Sequence, residues 1–117
     1  MKIGNNTQEL FVDGARCIVL HATTVLRFRA NGDIVLDSGG WRTATTKDRI
    51  NKYLPAPWRV RQVDGSWFLH NLDACTSWFF EDNTTIDAEG RVWRAGRDHP
   101  VAPRNTRTNQ PVFDKGE

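Results

Sequence analysis

Two dipeptides, Asn31-Gly32 and Asp64-Gly65, constrain the fold of this 117-residue chain more than any other feature. Each interrupts a run of β-branched and aromatic side chains, TTVLRF before DIVLD in the first case and WRVRQV before SWFLHN in the second. Asn, Asp and Gly tolerate the positive φ that a two-residue type I′ turn demands, so each dipeptide predicts a tight antiparallel hairpin. A third hairpin is expected in TTIDAEGRVW, with a four-residue loop closed by Gly90, and ARCIVLHA reads as a further strand leading into the first hairpin.

A two-residue loop fixes register, and register sorts side chains onto faces. With Asp64 and Gly65 as the loop, Val63 faces Ser66, Gln62 faces Trp67, Arg61 faces Phe68, Val60 faces Leu69 and Arg59 faces His70. Trp58, Val60, Trp67 and Leu69 then share a core face, while Arg59, Arg61, Val63, Phe68 and His70 share the other. The same construction for the first hairpin puts Leu26, Phe28 and Val35 on one face, and Arg27 and Arg29 with Ile34 and Leu36 on the other.

One helix is expected, over about residues 44–54. Thr43 or Thr45 offers a cap, Asp48 follows Thr45 by three in a capping-box spacing, and Ile50, Tyr53 and Leu54 fall on one side. Pro55 and Pro57 end it. The fold expected is therefore a β-rich α+β domain: about three hairpins forming a curved sheet or partial barrel, with one helix. Residues 1–98 form that domain. The polar, proline-bearing stretch 99–117 reads as an extended C-terminal arm.

Five tryptophans supply core volume, with Trp41 set apart because it follows Gly39-Gly40 in a connection. Cys17 and Cys75 read as buried thiols in a chain without a disulfide framework. No apolar run approaches bilayer length, and the N-terminal residues lack the pattern of a signal peptide, so a soluble chain that stays where it is made is expected.

Charge is distributed in blocks. Residues 27–61 hold eight cations against three acids, residues 62–90 hold six acids and no Lys or Arg, and residues 91–107 hold five arginines against Asp98. Such blocks either fold against each other or present separate faces to partners. Arginines interleaved with a ring on an exposed sheet suit nucleic acid, since guanidinium groups meet phosphates and rings stack on bases. The competing reading lays the same arginines along apolar surface or against the acidic block.

The stretch SGGWRTATTKDR runs a Gly-rich turn into a helix N-terminus, where free N–H groups and the helix dipole favour an anion; Arg42 and Lys47 add charge. Its spacing matches neither the dinucleotide fingerprint nor the GK[ST] phosphate loop, and the alternative is a well-capped connection. His21, His70 and His99 are dispersed, with no metal-ligand spacing, CxxC pair or GxSxG elbow. No enzyme activity, metal or cofactor is expected.

The pattern SGGWRTATTKDRIN, preceded by DIVLD, resembles a motif of small tailed-bacteriophage proteins without assigned function, over about residues 23–54. The resemblance implies a phage protein acting in the host cytoplasm by binding a host protein or nucleoprotein complex. Inhibition of host defence, such as a CRISPR effector or a nucleotide-signalling system, is the form named first. Direct DNA or RNA binding and a phosphorylated small ligand at Gly39–Thr46 are the alternatives. The binding residues expected are Arg27, Arg29, Trp41, Arg42, Lys47, Arg59, Arg61, Phe68 and His70.

Overall fold

The structure, a computed structural model, describes residues 7–95, 99–105 and 110–111. The β-rich α+β fold is as expected, with its strands divided between two antiparallel sheets. Strands β1 (Thr7–Val12), β2 (Ala15–Leu20), β3 (Thr23–Phe28) and β4 (Ile34–Leu36) lead into helix α1 (Ala44–Tyr53). After it come β5 (Trp58–Val63), β6 (Ser66–Asn71), β7 (Thr76–Phe79), β8 (Thr84–Ile86) and β9 (Val92–Trp93). The arm contributes β10 (Arg104–Asn105) and β11 (Gln110–Pro111). The first sheet has the order β1-β2-β3-β4-β8-β9, the second β11-β10-β7-β6-β5. Residues 96–98, 106–109 and 112–117, with Arg97 and Arg107 of the third charge block, lie outside the described residues.

The second hairpin has the register expected, residue for residue, from Val63↔Ser66 to Arg59↔His70. Asp64 and Gly65 both take left-handed backbone, φ 51° and 82°. The first hairpin differs. Phe28 pairs with Ile34, Arg27 with Val35 and Leu26 with Leu36, so Ile34 and Leu36 join Leu26 and Phe28 while Val35 turns to the side of Arg27. The reason is a longer turn: Arg29 N–H donates to the Asp33 carbonyl, and the Asn31 side chain accepts from Asp33 N–H instead of Asn31 adopting a left-handed φ. Gly32 is needed there for space as well, since a Cβ on it would lie 3.0 Å from the Ala88 Cβ in the β8–β9 turn. A further hairpin, β1–β2 about Asp13-Gly14, precedes the three expected ones.

Helix α1 begins at Thr43, whose Oγ1 accepts from Thr46 N–H. Ile50 and Leu54 are buried against both sheets' inner faces, in a core with Ile18, Leu26, Leu36, Val60, Trp67, Leu69, Trp78, Phe80 and Ile86. Asn51 faces β5, the edge of the second sheet. Its Oδ1 accepts from Val60 N–H at 2.7 Å and its Nδ2 donates to the Val60 carbonyl at 2.8 Å. One side chain thus satisfies both backbone groups that the edge would leave unpaired.

Trp67 and Trp78 are core, Trp58 and Trp93 are half-buried, and Trp41 is 67% exposed. Cys17 is buried as expected. Cys75 is exposed, because it occupies a left-handed position (φ 55°) in the β6–β7 turn. Among the described residues no helix is long and apolar enough to cross a membrane.

Candidate binding surface

The nine expected binding residues do not form one site. Arg59, Arg61, Phe68 and His70 come together on the outer face of the second sheet. Arg27 belongs to the face of the first sheet shared with Val35, and Arg29 to the β3–β4 turn. Trp41, Arg42 and Lys47 lie on the connection into α1.

That connection is hydrogen-bonded to itself and to Asp82 at several points. Asp82 Oδ1 accepts from Ser38 N–H at 2.8 Å and Ser38 Oγ at 2.7 Å, and Asp37 Oδ1 accepts from Gly39 N–H at 2.7 Å. Gly40 and Trp41 N–H groups donate to Ser38 oxygens, and those of Thr46 and Lys47 donate to Thr43. The carboxylates of Asp82 and Asp37 thus take the N–H groups of Ser38 and Gly39 at the start of the turn. Arg42 is likewise engaged: its guanidinium lies 4.9 Å from the Phe80 ring centroid and 5.4 Å from that of Trp67, and its Nε donates to Ser38 Oγ at 3.0 Å. Lys47 Nζ donates to Gln62 Oε1. The turn is a strand-to-helix joint.

The outer face of the second sheet is different in kind. Its rows are read from the pairing: Arg61–Phe68–Phe79 across β5, β6 and β7, and Arg59–His70–Ser77 beside it. Phe68 and Phe79 rings lie 4.9 Å apart, and Phe79 and Val63 are 46% and 51% exposed. Arg59 and Arg61 are exposed, and among the described residues neither is ion-paired. The acidic block answers other arginines: Asp82 meets Arg42, Glu81 meets Arg94, and Asp87 and Glu89 meet Arg91. Burial, and then the Arg61 charge, lower the His70 pKa below the ordinary imidazole value. His70, Arg61, Val63, Leu72 and Cys75 line a groove along one side of this face.

Two charged residues that sequence reasoning missed are structural. Arg16 pairs with Glu9 and lies over the Phe28 and Tyr53 rings, 5.4 and 5.8 Å from their centroids. Asp87 organises the β8–β9 turn. Burial opposes its charge, but hydrogen bonds from Trp93 Nε1 and from Arg91, with the Arg91 charge, overcome that and lower its pKa. Among the described residues no group of three or more His, Cys, Asp or Glu is placed to hold a metal.

A family model described as Kyanoviridae Gp96 protein matches residues 3–87. The expectation of a phage protein family holds. Comparison with curated proteins finds no match, and comparison with solved structures finds none.

Proposed function

Since the chain belongs to the Kyanoviridae Gp96 protein family, a phage family, we propose that it is a non-catalytic phage accessory protein that binds single-stranded nucleic acid on the outer face of its second sheet. The observation that carries the reading is the pair of exposed arginines, Arg59 and Arg61, neither ion-paired among the described residues, with Arg61 in register with the Phe68–Phe79 ring pair. Arginine at one edge meets phosphate, and the exposed Phe79 ring, with the half-buried Phe68 beside it, accepts bases by stacking. A duplex hides the faces of its bases, so single strands suit this chemistry better.

Fluorescence anisotropy of labelled single strands titrated with the full chain, between about 50 and 200 mM salt, tests the reading. The Arg59→Ala/Arg61→Ala variant is expected to lower the slope of log affinity against log salt by about 1.4, twice the ~0.7 lost per single-strand phosphate contact. Phe79→Ala is expected to cost about 1–3 kcal/mol with the slope unchanged, as loss of a stacking ring should. Absence of binding to any single strand at low salt refutes nucleic acid. The arginine face would then fit an acidic protein surface, and a host-defence protein becomes the partner to seek by pull-down.

A further inference from the structure

The first sheet carries an open pocket of about 300 Å³, lined by Thr23, Thr24 and Arg27 of β3, Val35 of β4, Asp37 directly after it, and Asn83 just before β8. Pairing brings these residues together. Arg27 lies opposite Val35, the Asp37 N–H donates to the Val25 carbonyl at 3.0 Å, and the Asn83 N–H donates to the Leu36 carbonyl at 2.8 Å. Among the described residues the side chains of Thr23, Thr24, Arg27 and Asn83 make no hydrogen bond or ion pair, while Asp37 Oδ1 accepts from Gly39 N–H. Arg27, half-buried, thereby differs from Arg16, Arg42, Arg91 and Arg94, each of which meets a carboxylate. Unused donors and acceptors gathered in a concavity, with one cation and one anion among them, are the makings of a polar ligand site.

The two charges choose the ligand. A guanidinium takes a carboxylate in a forked pair of hydrogen bonds. Asp37 repels a bare anion and accepts from an ammonium, and Arg27 repels a bare cation, so a molecule carrying both signs satisfies both. No aromatic ring stands in the described lining, so a nucleobase would find nothing to stack on, and 300 Å³ is the small end of the range for ligand pockets. We infer that this pocket binds a small zwitterion, an α-amino acid with a hydroxyl or amide side chain. Arg27 holds its carboxylate, Asp37 its ammonium, and Thr23, Thr24 and Asn83 meet its side chain. The site lies on the other sheet from the proposed nucleic-acid face and does not rest on that reading.

The test titrates the isotope-labelled full chain, by NMR, with L-serine, L-asparagine and L-glutamine, beside acetate, ethylamine and inorganic phosphate at the same millimolar concentrations. Thermal melting checks the folding of each variant. At least one of the amino acids is expected to shift the amide resonances of residues 23–27, 35–37 and 83 saturably. Acetate and ethylamine, each with one of the two charges, should bind about tenfold or more weakly. Arg27→Gln and Asp37→Asn should each weaken amino-acid binding by about tenfold or more, the loss of one charge-assisted pair. Asparagine keeps an acceptor for Gly39 N–H, so the turn stays closed. Arg29→Gln, in the β3–β4 turn and outside the lining, should leave the affinity at the parent's value. No saturable shift with any of the three amino acids overturns the inference, as does unchanged affinity in Arg27→Gln or Asp37→Asn. Phosphate binding more tightly than every amino acid, and more tightly still to Asp37→Asn, also overturns it and makes the pocket an oxyanion site. An equal loss in Arg29→Gln overturns it too, since net charge would then explain the effect.

Discussion

Replacing Asn51 tests whether the second sheet is closed at β5 by a side chain. In Asn51→Ala, two hydrogen bonds of 2.7 and 2.8 Å disappear, and the N–H and C=O of Val60, itself 1% exposed, lose their partners. Each such bond contributes about 1 kcal/mol net, and a donor left unpaired in a buried place raises that, so the gross loss is about 2–3 kcal/mol. Alanine in the interior of α1 returns roughly 0.6 kcal/mol through its better helix propensity. The net loss is therefore about 2 kcal/mol. For 117 residues the unfolding entropy is about 0.25 kcal/mol per kelvin, so the melting temperature should fall by about 8 °C. Asn51→Asp separates geometry from bulk: it keeps an acceptor for Val60 N–H but sets a carboxylate oxygen against the Val60 carbonyl, and should be no more stable than the alanine variant. Calorimetry of the three proteins decides the matter. A fall of less than about 2 °C in Asn51→Ala, or an aspartate variant as stable as the parent, would refute the reasoning.

Two further outcomes are expected. With its folded-state pKa held below 6.5 by burial and Arg61, His70 stays neutral in a window where the unfolded chain is protonated. Stability should then decline as pH falls below about 6.5 and level off below the folded pKa, and His70→Gln should remove that decline in a urea-unfolding series; identical pH profiles would contradict it. Gly39 and Gly40 both have positive φ, 62° and 84°, but a Cβ at Gly39 would lie 2.5 Å from Thr23 Oγ1 whereas Gly40 faces open space. Gly40→Ala should cost about 1 kcal/mol from backbone strain alone and Gly39→Ala clearly more; equal denaturant midpoints would show that the 36–43 joint yields freely.

The parts of this fold legible in the sequence are those decided within a few residues. Asp64-Gly65 sets a full hairpin register because both residues accept left-handed backbone, and Thr43 with Pro55 brackets the helix because caps and breakers act within one turn. Asp13-Gly14 carries the same local signal as Asp64-Gly65, and the β1–β2 hairpin was readable from it. Asn31-Gly32 misleads because the Asn31 side chain takes the Asp33 N–H and a longer turn forms, while the lack of room for a side chain at Gly32 comes from Ala88, far along the chain. The candidate surface divides along the same line. Arg59, Arg61, Phe68 and His70 were gathered by local register, whereas Arg42 looked free only because its partners, Asp82, Trp67 and Phe80, are distant in sequence. Which acids meet which arginines is a question of packing, and block charge does not answer it.

The path of the chain between its two sheets sets an order of events during synthesis. After β4 the chain leaves the first sheet for α1, β5, β6 and β7, then returns with β8 to pair beside β4, Ile34 with Ile86 and Leu36 with Thr84. Until residues 84–86 have emerged from the ribosome, β4 is an open edge with apolar neighbours, and no local turn can close it. Pairings of that separation close slowly, and open edges are where nascent chains associate wrongly. The first sheet is thus closed only after β5, β6 and β7 have been made, and conditions that slow elongation between β4 and β8 should lower the yield of folded protein more than a pause after β9.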